Sequence, residues 1–117
     1  MILNQDLALS PKVKSAVINS KAEFFISVVS FWEMAIKISI GKLQLKTTLQ
    51  EIIQSSIALG GVTILPIFVE HVVGLDSLPF HHRDPFDRLF LTQAKYEGMA
   101  IVSGDSAFDR YGVERIW

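Results

Sequence analysis

The sequence predicts a single α/β domain built on a largely parallel sheet, and three observations predict it. Short apolar, β-branched runs alternate with helix-length segments. Capping residues, glycines or prolines punctuate most of the junctions. The 117 residues, 50% of them hydrophobic, suit one core and leave little for a second domain.

Taken in order, Ser10-Pro11 opens a helix through Ile18, with serine as N-cap and proline at the first helical position. Phe24 to Val29 reads as a strand buried on both faces. Ser30-Phe31-Trp32-Glu33 fits a capping box that starts a second helix, which runs to Ile40 and closes at Gly41. Thr47 or Thr48 caps a third, Leu49 to Leu59, ending at Gly60-Gly61. Val62 to Leu65 is a strand stopped by Pro66, and Phe68 to Gly74 makes one or two helical turns. After a polar stretch from Asp76 to Arg83, Asp84-Pro85 starts a helix that runs to Glu97 and stops at Gly98. Ala100 to Ser103 is a strand, Gly104-Asp105 leads into a short helical turn, and Val113 to Trp117 can form a last strand.

Composition excludes several classes. With no cysteine there is neither a disulfide framework nor a thiolate metal site. A net charge of -1 advertises no nucleic-acid field over the whole surface, although a local stripe of Lys and Arg remains open. No basic leader precedes an apolar run, and no apolar stretch reaches ~18 uncharged residues. A soluble, cytoplasmic protein is expected.

Ligand sites in such sheets lie at the carboxyl ends of the strands. Glu33 and Asp105 each follow a strand; Asp84 and Asp87 begin the helix leading into the later one, at the opposite edge or on a long return loop. Each acid has a plain reading as a helix cap or first-turn charge, worth roughly 0.3–1 kcal/mol through the helix dipole. Their functional reading requires convergence around a cation, and oxygen-only ligation points to Mg²⁺ or Mn²⁺.

Three segments bear a resemblance that spans nearly the whole chain. Val28-Val29-Ser30-Phe31-Trp32-Glu33 through Lys37, followed by Gly41-Lys42-Leu43, resembles the "VSxWEhxxK…GKL" segment of PIN-domain nucleases of the VapC toxin type. His82-Arg83-Asp84-Pro85-Phe86-Asp87-Arg88-Leu89 is similar to their "HRDPFDRLL" segment. Ile101-Val102-Ser103-Gly104-Asp105, with Phe108, Tyr111 and Trp117, is similar to their "LVTxDxxFxxY…W" ending. The resemblance implies a PIN-like three-layer fold and Mg²⁺- or Mn²⁺-dependent cleavage of RNA. It also implies a toxin–antitoxin pair, with a cognate antitoxin and a homodimer. By resemblance Glu33 is the second acid of the site, Asp87 or else Asp84 the third, and Asp105 the fourth. Glu33, Asp87 and Asp105 would be the metal ligands. Ser103 fills the hydroxyl position before the last acid, and Arg88 and Lys37 lie beside the site as substrate-binding candidates, with plain solvation as the alternative for Lys37.

The chain departs from that pattern at its start. Family members open with a central strand ending in the first aspartate, whereas Met1 to Pro11 resembles the segment just after it. The first, central strand is therefore expected to be missing from a single 1–117 domain, leaving two open edges in mid-sheet. An in-frame upstream extension is expected to encode it. Asp6 falls in the following loop and is not a substitute. Metal affinity and cleavage are expected to be impaired, the alternative being a non-catalytic remnant that binds protein or dimerises.

Other candidates are weaker. His81-His82 lacks a third ligand at zinc spacing, and adjacent side chains point apart. Phe31, Trp32, Phe86 and Phe90 read as core or as a base-stacking platform. The face of Leu49, Ile52, Ile53 and Ile57 is core, or a groove for an antitoxin or a second copy.

Overall fold

The computed structural model describes residues 1–3, 23–58, 62–81 and 83–117. The helix expected over 10–18, Asp6, the Gly60-Gly61 stop and His82 lie outside the described residues. Five strands form one sheet: β1 Ile2–Leu3, β2 Phe24–Ser27, β3 Val62–Leu65, β4 Ile101–Val102 and β5 Arg115–Ile116. Their order is β3-β2-β1-β4-β5, and all four pairings are parallel. Between them run the helices α1 Val28–Ser39, α2 Leu49–Ala58, α3 Val69–Val73 and α4 Pro85–Glu97. Short 3₁₀ turns cover Gly74–Ser77 and Ser106–Tyr111. The α/β class and the parallel sheet agree with the sequence.

The missing central strand is a correction. Ile2 and Leu3 occupy the middle of the sheet, with Ile2 opposite Phe25 on one side and Ile101 on the other. The physical reason is backbone accounting: an empty slot would leave the facing groups of β2 and β4 unpaired. The start of the chain satisfies them, Ile2 N–H donating to Ala100 O at 2.9 Å and Phe25 N–H to Met1 O at 2.8 Å. Ile2 is fully buried there.

A second correction concerns the β2–α1 junction. The helix begins at Val28, two residues before the expected cap at Ser30. Ser27 is the N-cap, its hydroxyl accepting from Val29 N–H at 3.0 Å. That hydroxyl also donates to Gln93 Oε1 on α4, a tertiary partner that local sequence does not reveal. Ser30 is buried within the first turn, and Glu33 becomes the sixth residue of the helix, so it forms no capping box. At the far end Lys42 N–H reaches back to Lys37 O at 2.8 Å across Gly41, whose φ of 75° a side chain would resist.

The later elements match their local signals. Thr48 Oγ1 accepts from Glu51 N–H at 3.1 Å, which selects Thr48 over Thr47 as the α2 cap. Asp84 Oδ1 accepts from Phe86 and Asp87 N–H at 2.8 and 3.2 Å, Pro85 takes the first helical position, and Gly98 closes α4. Every residue from Arg88 to Ala94 is buried. Helix α4 is thus the spine of the core, packed with Ile2, Val29, Leu65, Ile101 and Phe108. The α2 face is less enclosed than a core face: Leu49, Ile52 and Ile53 are half-buried and Ile57 is 54% exposed.

Candidate active site at the carboxyl edge of the sheet

Helix α4 ends at Glu97, four residues before β4 begins, so its last turn belongs to the amino edge of the sheet. Thirteen residues span about 20 Å, which carries its first turn to the carboxyl side. The edge ambiguity of Asp84 and Asp87 is thereby resolved: the start of α4 lies on the carboxyl side. Contacts between α1 and α4 run in opposite senses. Ser27 at the head of α1 meets Gln93, while Trp32 meets Phe86 edge-on with ring centroids 4.7 Å apart. The two helices are antiparallel, and the later part of α1 comes to the start of α4.

Glu33, Lys37 and Lys42 there face Arg83, Asp84 and Phe86 across an open groove of about 400 Å³. Glu33 is nearly buried, and its Oε2 holds Lys37 Nζ at 3.0 Å, one helical turn away. Asp87 is half-buried in the first turn of α4. Arg88 does not face this groove. Its guanidinium donates to Pro79 O at 3.0 Å and Leu78 O at 3.4 Å, and lies 4.3 Å from the Phe80 ring centroid. It braces the loop ahead of α4.

Ser103 and Asp105 form a second group beyond β4. Ser103 is buried, and its hydroxyl accepts from Asp105 N–H at 3.1 Å. The exposed Asp105 carboxylate accepts from Ala107 N–H at 2.9 Å as cap of the 3₁₀ turn. Arg115 donates to Ser103 O at 3.2 Å and grips Asp109 with two bonds, at 2.8 and 3.1 Å. These bonds hold the Asp109 carboxyl below its usual 3.8 and raise Arg115, with the Asp105 charge adding to the latter. Among the described residues no three His, Asp or Glu side chains gather closely enough to hold one metal ion. Mg²⁺ is commonly held by one or two carboxylates with water completing its shell, so Glu33, Asp87 and Asp105 each remain donors of the right chemistry.

Sequence reasoning missed a polar chain along α4. The fully buried His71 imidazole accepts from Phe68 N–H at Nδ1 (3.0 Å), which leaves Nε2 to donate to Glu97 Oε1 at 2.8 Å. Gln93 donates to Pro66 O at 3.1 Å and accepts from Ser27. A lone histidine within the apolar run Phe68 to Val73 was the available signal.

The PIN domain family model matches residues 8–114. The chain belongs to the PIN-domain family. Two solved structures share the PIN fold over 99% of this chain. One is VapBC2 from Rickettsia felis bound to a DNA fragment from their promoter, with a TM-score of 0.61, 16% identity and 98% of that chain covered. The other is FitAB bound to an IR36 DNA fragment, with a TM-score of 0.58, 15% identity and 94% of that chain covered. Curated protein sequences give no significant match. Among the described residues of this PIN domain, no helix is long and apolar enough to cross a membrane.

Proposed function

We propose that this PIN domain is the nuclease half of a toxin–antitoxin pair, an RNA endonuclease whose cleavage is slow or absent as the chain stands. The family and the three VapC-type segments support the nuclease and a cognate antitoxin. The observation that supports the impairment is the residue after β1: the family's first strand ends in an aspartate, and here Ile2–Leu3 is followed in sequence by Asn4, one carboxylate short. A bound Mg²⁺ or Mn²⁺ would supply an activated water and a clamp on the phosphodiester. The chain's own part is to hold the sheet edge and helix starts in place around that chemistry. A second reading, a PIN domain kept as a protein-binding module, is favoured by the same missing carboxylate.

Asn4 follows β1 directly in sequence and lies outside the described residues. Cleavage of labelled single-stranded RNA, with Mn²⁺ and with chelator, compares the chain with its Asn4→Asp variant. The expected result is little cleavage by the chain and a metal-dependent gain in the variant, lost again on adding Asp105→Asn. No gain with any RNA, in a variant that melts like the parent, favours the binding module.

A further inference from the structure

The groove between the end of α1 and the start of α4 has a composition that the acids alone do not explain. We infer that it seats the backbone of single-stranded RNA, with one phosphate between Lys42 and Arg83 and an adjacent base against Trp32. This rests on the nuclease reading and names how its substrate is held.

Three cations and two acids line the groove. The Glu33 charge is offset by Lys37 at 3.0 Å, and Asp84 Oδ1 is satisfied by two backbone N–H groups at the positive end of α4. Lys42 and Arg83 are both exposed, and neither is engaged by another side chain among the described residues. The unspent charge of the groove is therefore positive, on a chain whose net charge is -1. A local cationic site of this kind attracts a polyanion without a basic surface elsewhere.

The volume of about 400 Å³ lies within the ~300–1,000 Å³ of small-ligand pockets and suits one nucleotide of an open strand. Phe86 lines the groove and props Trp32 edge-on, leaving the indole 47% exposed beside it. An aromatic ring held rigidly with an open side is what an unpaired base stacks on. The planar guanidinium of Arg83 matches phosphate geometry, and Lys42 adds a point charge. An acidic peptide could use the two cations but has no purine or pyrimidine ring for Trp32.

The test measures binding of a fluorescein-labelled single-stranded RNA oligonucleotide in chelator, so that cleavage plays no part. It uses the whole chain, the Lys42→Gln/Arg83→Gln double variant, Trp32→Leu, and Lys95→Gln as a cation outside the groove. The expected loss is about tenfold or more for the double variant, with the slope of log affinity against log salt falling by about 0.7, as for one phosphate. Trp32→Leu should weaken binding about tenfold without changing that slope, and Lys95→Gln should change neither. Full-strength binding by the double variant, while the parent binds RNA, overturns the inference and leaves the nuclease reading standing. Dependence of a polyglutamate peptide, but not RNA, on the two cations overturns it in favour of an acidic protein partner. No RNA binding by the parent at low salt overturns the groove and the nuclease reading together.

Discussion

His71 is a fully buried side chain whose loss the fold should register. It joins the Phe68 amide to the Glu97 carboxylate, and replacement by alanine strands both partners around a new cavity. An unsatisfied buried group costs about 1–3 kcal/mol. His71→Ala should therefore lose about 3 kcal/mol in urea unfolding, and a loss under ~0.5 kcal/mol would show that water replaces the ring at no cost. Asp109 makes a titration prediction at the same scale. Its carboxyl is held below 3.8 first by the Arg115 hydrogen bonds, so its contribution to stability is present above pH ~4 and disappears as pH falls through its lowered folded value. Arg115→Gln should return the Asp109 midpoint to the ordinary carboxylate range in a carbon-detected NMR titration. Residue chemistry was only partly legible in the sequence. Asp84 and Asp105 are caps as expected, because a cap bonds to its own next turn. The fate of Arg88 was not legible, since its partners at Leu78 and Pro79 depend on the path of a loop.

At the scale of elements, α4 was readable at both ends, Asp84-Pro85 and Gly98 acting through local geometry. The start of α1 was not. Serines stand at both 27 and 30, and the choice between them is made by Gln93, 66 residues away along the chain. The loop after β4 shows another distant constraint. A Cβ on Gly104 would come within 3.0 Å of the Trp117 indole, so this position carries no side chain because the C-terminal ring lies across it. Gly104→Ala should push the indole by a few tenths of an ångström and loosen the 103–105 turn. A shift in tryptophan emission with about 1–2 kcal/mol lost is the expected outcome; unchanged emission and stability would mean that the ring does not rest there.

For the whole molecule, the parallel sheet was legible from alternating runs, but its centre was not. Ile2 and Leu3 are too few to give a periodic signal, and their pairing spans the sequence from Phe25 to Val102. That placement changes the expected energetics: the middle of the sheet is closed rather than open to a second chain. Ile2→Ala should cost about 2–5 kcal/mol, a large part of a typical 5–15 kcal/mol, whereas an exposed end would lose almost nothing. The family was legible because its three segments lie in order along the chain, and the domain match over residues 8–114 agrees. Convergence of the acids was not legible, because spacing in sequence says nothing about distance across a sheet edge.

The account turns on an acidic edge that is incomplete, and Mn²⁺ binding followed by titration calorimetry tests it most directly. The chain should show no affinity tighter than about 1 mM, and Asn4→Asp should tighten it about tenfold or more, equivalent to about 1.4 kcal/mol. Micromolar binding by the chain itself, abolished by Asp105→Asn, would contradict the account and mean that its own carboxylates already assemble around a cation.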